Sequence, residues 1–127
     1  MRKGPAQERN NLAIKIVLAD DHQIVREGLR TILNREPDLE VVAEADDGRT
    51  TVRLVRELRP QVVIMDIAMP GLSGIEATQV IRARCPKIRV IALSMQSGRW
   101  FVQGMLKAGA SGYLLKDCAY EELITAI

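Results

Sequence analysis

Residues 61–71 read QVVIMDIAMPG. The segment Gln61–Met65 is a short apolar run without polar alternation, the pattern of a parallel strand covered on both faces. It runs directly into a carboxylate, Asp66. Working outward, the same pattern recurs at Ile14–Ala19, Leu39–Ala45, Ile88–Leu93 and Gly112–Leu115, all rich in Val, Ile or Leu. Helical periodicity fills the intervals. His22–Arg35 places Val25, Leu29, Ile32 and Leu33 on one face, with Arg26, Glu27 and Arg30 on others, and Thr50–Leu58 repeats this with Val52, Val55 and Leu58. Ser73 and Glu76 form a capping box for the third helix, Ser97 is placed to cap the fourth and Asp117 the fifth. Asp21 is a candidate cap for the first. In the fourth helix Phe101/Met105 and Val102/Leu106 stand at i, i+4 spacing. This alternation predicts an α/β fold, (βα)5, in which right-handed crossovers give an open parallel sheet with helices on both faces. Ligands of such sheets bind beyond the carboxyl ends of the strands, where the strand order reverses.

A chain of 127 residues with 47% apolar content suits one compact domain. Its apolar runs fall far short of the roughly 18–20 residues that span a bilayer, so no membrane partner is expected. The basic N-terminal residues have no apolar stretch behind them, which argues against a secretory signal. Cys85 and Cys118 lack metal-ligand spacing and are expected to be reduced thiols of a cytoplasmic protein. Residues 1–13, polar and aperiodic, are expected to be a flexible extension, with the folded domain spanning 14–127 and its last helix cut short. Arg2, Lys3 and Arg9 against Glu8 account for the whole formal charge of +2. Residues 14–127 are therefore neutral and lack the basic footprint of a nucleic-acid binder.

The informative polar residues all fall at strand ends. Asp20 and Asp21 follow the first strand, Asp66 the third, Ser94 the fourth and Lys116 the fifth. Carboxylates at the ends of buried strands cost several kcal/mol unless a cation compensates them. Three carboxylates against one lysine suit Mg²⁺, which prefers hard oxygen ligands and retains some water. Such a pocket also suits a phosphoryl group, with Lys116 and the Ser94 hydroxyl on its oxygens and a carboxylate as nucleophile.

These residues stand as LADDH (18–22), VIMDIAMPG (63–71), IALSM (91–95) and AGASGYLLKD (108–117). Four such pieces in this order resemble the receiver domains of two-component response regulators, over Ile14 to Ile127. The LSM and GASGYLLKD details are similar to the NarL/FixJ-type subfamily. The resemblance implies a flavodoxin-like sheet of strand order 2-1-3-4-5. It implies Asp66 as phospho-acceptor and Mg²⁺ held by Asp21, Asp66 and the Ala68 carbonyl, with Asp20 reaching the ion through water. It further implies Lys116 as the phosphoryl-binding cation, Ser94 as switch hydroxyl and Tyr113 as the aromatic that reorients. The implied partners are a sensor histidine kinase, a second copy docked through the fourth helix, fifth strand and fifth helix, and a C-terminal DNA-binding domain that regulates transcription from outside this segment. The implied activity is Mg²⁺-dependent self-phosphorylation and slow self-dephosphorylation, not enzymatic turnover. Two departures stand out. Asp117 occupies a position where many receivers have a cis proline, so a trans bond is expected. Met95 follows the switch serine, where a smaller residue is common, and is expected to narrow access.

Competing readings fare worse. An FMN-binding relative needs a phosphate loop after the first strand, where Asp20-Asp21 repel phosphate. An aspartate-based phosphatase needs a second acid two residues beyond the nucleophile, and position 68 is alanine. A degenerate receiver would lack part of the acidic set, which is complete here. His22, the only histidine, is read as a structural residue opening the first helix beside two acids. All four aromatics, Trp100, Phe101, Tyr113 and Tyr120, lie in the last helix–strand–helix, and Gly104 is expected to loosen its first helix by about 1 kcal/mol relative to alanine. Because the domain is neutral, no salt-dependent retardation of duplex DNA is expected in a gel shift at about 0.1–0.2 M salt. Micromolar binding there would refute the neutral-domain reading.

Overall fold

The computed structural model describes residues 12–95, 98–117 and 120–127. Five strands and five helices alternate: β1 (Ile14–Ala19), α1 (Gln23–Leu33), β2 (Leu39–Ala45), α2 (Gly48–Leu58), β3 (Val62–Met65), α3 (Gly74–Arg84), β4 (Arg89–Ser94), α4 (Arg99–Ala108), β5 (Gly112–Leu115) and α5 (Tyr120–Ala126). The sheet is fully parallel with order β2-β1-β3-β4-β5. This is the expected (βα)5 fold, with strand boundaries shifted by one residue at β3 and β4. Among the described residues no helix is long and apolar enough to cross a membrane.

Strand alternation sorts the core into two layers. Val17, Val63, Met65, Val90 and Ala92 point to the side where α2, α3 and α4 contribute Val55, Ala77, Ile81 and Met105. Ile16, Leu18, Val62, Ile64, Ile91 and Leu93 point to the other side, against Leu29 and Leu33 of α1 and Leu123 of α5. Both faces are thus covered, which explains the unbroken apolar strands. Ala13, counted with the tail, is already buried, whereas residues 1–11 lie outside the described residues.

Several local expectations are corrected. In α2 the buried positions are Gly48, Thr51 and Val55, while Leu58 is 43% exposed. The helix begins two residues early because Asp47 caps it, accepting from the Thr50 N–H at 2.7 Å. That early start, together with Thr51 Oγ1 donating to the Asp47 carbonyl at 2.7 Å, lets a polar residue occupy the core side. His22, not Asp21, is the N-cap of α1. The N-cap of α4 is Gly98, and Ser97 lies outside the described residues. α5 starts at Tyr120, beyond Asp117, and Cys118 also falls outside the described residues. Cys85 is a free thiol. The capping box of α3 forms as read, with the Glu76 N–H donating to Ser73 Oγ at 3.2 Å and the Ser73 N–H to Glu76 Oε1 at 3.3 Å.

Two glycines permit close approach. A Cβ on Gly104 would stand 2.9 Å from Ile75 Cδ1, so this glycine packs α4 onto α3. A Cβ on Gly74 would collide with the Asp66 carbonyl, and the Gly74 N–H donates to the Ile67 carbonyl at 2.8 Å. The start of α3 is therefore pressed against the loop after β3. Gly74→Ala should destabilise the domain by about 1–3 kcal/mol in urea unfolding, the usual cost of overpacking. Gly112→Ala, where nothing lies within 4 Å of the added methyl, is the control; equal effects at both positions would refute the collision.

Candidate functional site

The strand order reverses between β1 and β3, and the chain after each of these strands enters the same crevice. Ala19 pairs with Met65, so Asp20 and Asp66 are side by side in the next row. The Asp66 N–H donates to the Ala19 carbonyl at 2.8 Å, and the Asp20 N–H to the Ala45 carbonyl at 3.0 Å, which carries the sheet pairing into the acidic loops. Both aspartates are buried, with 3% and 4% exposure for Asp20 and Asp66.

Lys116 reaches this pair from the far side of β4. Its Nζ stands 2.7 Å from Asp20 Oδ2 and 3.2 Å from Asp66 Oδ2. The remaining oxygens are also held. Asp66 Oδ1 accepts from the Ile67 N–H at 2.8 Å and Asp20 Oδ1 from the His22 N–H at 2.9 Å. Burial, then the charge of Asp20, raises the Asp66 pKa, and Lys116 with the Ile67 N–H only partly opposes them. Burial alone would lower the Lys116 pKa, but its contacts with Asp20 and Asp66 outweigh burial and push it up. One ammonium thus serves two carboxylates, and it is closer to Asp20.

Ser94, buried at the end of β4, hydrogen-bonds the Tyr113 hydroxyl. Burial raises the Tyr113 pKa, the Ser94 bond opposes this, and the Asp66 charge raises it further. The Lys116 N–H donates to the Ser94 carbonyl at 2.8 Å, so the ends of β4 and β5 are tied together. Met95 is exposed and lines a cleft with Leu115, Lys116 and Asp117, beside the site whose access it was expected to narrow. Among the described residues no peptide bond is cis, in line with the expected trans link to Asp117.

Asp21 completes the acidic set. Ligand atoms of Asp20, Asp21, His22 and Asp66 all lie within 4.8 Å of one another. Three carboxylates facing one ammonium leave uncompensated negative charge, which adds to burial in raising the Asp66 pKa. The donor set therefore fits a hard divalent cation such as Mg²⁺. Ala68 is exposed in the loop after Asp66. One group, Arg26, escaped the sequence reading. Arg26 donates from Nη1 to the Asp20 carbonyl at 2.7 Å, and its Nε meets Glu44 Oε1 at 3.3 Å, beside an Arg30–Glu44 pair at 2.6 Å. The only sequence signal for Arg26 is its place one turn beyond His22. His22 itself places Nδ1 3.1 Å from both Asp20 Oδ1 and Asp21 Oδ1.

A flavodoxin-like sheet whose switch point gathers buried aspartates, a lysine and a serine hydroxyl defines the receiver class of signalling domains. The chain belongs to the response regulator receiver domain family, whose model matches residues 16–127. It is 45% identical over 121 residues to the transcriptional regulatory protein DegU of Brevibacillus brevis, covering 95% of this chain and 51% of that protein. A LuxR-family two-component response regulator from Aurantimonas sp. SI85-9A1 superposes with a TM-score of 0.84 at 43% identity, covering 89% of this chain and 81% of that one. The signal receiver domain of NarL from Mycobacterium tuberculosis gives 0.86 at 33% identity, covering 90% and 92%. These relatives agree with the NarL/FixJ-type resemblance. The chain spans about half the length of the curated relatives it matches.

The site makes a stability prediction. A carboxyl whose folded pKa lies above its unfolded value of 3.8 binds its proton more tightly when folded, so its contribution is lost as pH rises from that value through the folded pKa. Asp66→Asn, in chelator, should therefore be more stable than wild type at pH 7 and should lose less stability between pH 4 and 7 in urea titrations. A variant that is no more stable at pH 7 contradicts the cost of the buried Asp66 charge beside Asp20.

Proposed function

We propose that this domain accepts a phosphoryl group from the phosphohistidine of a sensor histidine kinase onto Asp66 and relays that event to an output domain. The observation that carries the reading is the Lys116 ammonium shared by the buried Asp20 and Asp66 carboxylates at the switch point. An Asp66 oxygen attacks phosphorus in line, the N–P bond breaks, and its electron pair remains on the kinase imidazole. Lys116, already within reach of Asp66, neutralises the charge on the transferred oxygens. Asp21, Asp66 and the Ala68 carbonyl would hold Mg²⁺, with Asp20 reaching it through water, and the ion would supply further neutralisation. Alanine at position 68 leaves no second acid to protonate a leaving group, so hydrolysis of the aspartyl phosphate is slow and the domain works as a switch without substrate turnover.

The Ser94 hydroxyl, hydrogen-bonded to Tyr113, turns to a phosphoryl oxygen, and Tyr113 follows. The change is read on the face of α4, β5 and α5, where Trp100 is 70% exposed and Leu106 48% exposed. Aromatic and aliphatic groups of this kind supply docking energy at interfaces. This face is the proposed homodimer and output surface. The output is a C-terminal DNA-binding domain controlling transcription, in keeping with the names of the longer relatives, and the setting is the cytoplasm. The receiver comprises residues 14–127, preceded by the basic extension.

With acetyl phosphate and Mg²⁺, intact-mass spectrometry should show one added phosphoryl group on the wild type. Asp66→Asn, or wild type in excess chelator, should show none. Equal labelling of the variant would overturn Asp66 as the acceptor.

A further inference from the structure

We propose that His22 is a direct ligand of the divalent ion in the acidic pocket and biases that pocket toward first-row transition ions over Mg²⁺. The inference rests on the metal site proposed above and names its preferred ion class. His22 is the only histidine of the chain and is fixed at the N-cap of α1. Its N–H donates to Asp20 Oδ1 at 2.9 Å and its carbonyl accepts from the Arg26 N–H at 3.1 Å. The backbone is thereby held at the pocket mouth, and the imidazole swings on two torsions only.

The spacing of the donor atoms fits a coordination sphere. Nδ1 stands 3.1 Å from Asp21 Oδ1 and is hydrogen-bonded at 3.1 Å to Asp20 Oδ1, a bond that a bound ion would replace. Two ligands at right angles on an ion about 2.1 Å from each lie about 3.0 Å apart. The donor atoms of Asp21, His22 and Asp66 lie, with that of Asp20, within 4.8 Å of one another, so small side-chain adjustments bring the first three onto one ion while Asp20 reaches it through water. The imidazole is 63% exposed, so it contacts an incoming ion without crossing the packed core. Chemistry then sets the preference. Mg²⁺ favours oxygen ligands, whereas imidazole suits Co²⁺, Ni²⁺ and Zn²⁺, which bind mixed N/O sites more tightly in the Irving–Williams order. Replacing one oxygen donor by Nδ1 strengthens binding of the transition ion and adds little for Mg²⁺.

Calorimetric titrations of the whole chain with Co²⁺ and with Mg²⁺ test this, with the visible absorption of Co²⁺ reporting its ligands. His22→Gln keeps a polar side chain at the cap but removes the imidazole. It should weaken Co²⁺ binding at least about tenfold, shift the Co²⁺ spectrum and leave Mg²⁺ affinity within about twofold. Added Mg²⁺ should compete with Co²⁺ on the wild type, and Asp66→Ala should impair both ions. Unchanged Co²⁺ affinity and spectrum in His22→Gln, with normal Mg²⁺ binding, would overturn the ligand role and leave the proposed function intact. An equal loss for both ions would also overturn it, by making His22 a support for the acidic loop. Failure of either ion to bind the wild type, or Co²⁺ binding unaffected by Asp66→Ala, would instead defeat the metal site itself.

Discussion

The Lys116 ammonium sits between two carboxylates that arrive from neighbouring strands, and all three groups are shielded from water. Removing such ions from solvent costs several kcal/mol each, and mutual attraction offsets that only when the geometry is close. Here one cation meets two anions, so compensation is incomplete and Asp66 holds its proton more tightly than an ordinary aspartate. The strand order is the prior condition for this arrangement. β1 and β3 must be adjacent to set Asp20 beside Asp66, and β5 must lie two strands beyond β3 for Lys116 to reach across the end of β4. A site left short of positive charge is receptive both to a divalent cation and, through the lysine, to a phosphoryl group.

The same segment couples that chemistry to the surface. Tyr113 and Lys116 are three residues apart, spanning the end of β5, and the Lys116 N–H is bonded to the carbonyl of Ser94, whose hydroxyl meets Tyr113. A new partner for the Lys116 ammonium or the Ser94 hydroxyl therefore bears on the Tyr113 hydroxyl, which Ser94 bonds. Under the proposed function this is where a switch would act, since few groups and one short strand join the Ser94 hydroxyl, Tyr113 and Lys116.

The rest of the core keeps these loops in place. The start of α3 is pressed onto the Asp66 carbonyl at Gly74, the Arg26 guanidinium clamps the Asp20 carbonyl, and Gly104 lets α4 lie against Ile75. The Gly74 and Arg26 contacts hold the loops that carry Asp66 and Asp20, and the Gly104 contact sets one helix on its neighbour. The neutral apolar layers above and below the sheet supply the rigidity, and the loops spend some of it holding like charges together.

Much of this was legible in the chain itself. Continuous apolar runs ending in Asp20, Asp66, Ser94 and Lys116 specify buried parallel strands with polar tips, because only a strand covered on both faces tolerates such a pattern. Ser73 and Glu76 likewise announce a helix start through local hydrogen bonds. Contacts set by long-range packing were not legible. Periodicity placed Leu58 inside and ignored Thr51, because it could not register the two-residue shift imposed by the Asp47 cap. It read Gly104 as looseness and could not show that the position also faces Ile75 on another helix. It placed His22 correctly at the helix start beside two acids, but left Arg26 on a polar helix face, because nothing local shows that its guanidinium reaches back to the Asp20 carbonyl. Sequence determined which residues end the strands. The tertiary structure alone decided which charges meet, because Coulomb energy depends on distances that the sheet order, and not the local pattern, fixes.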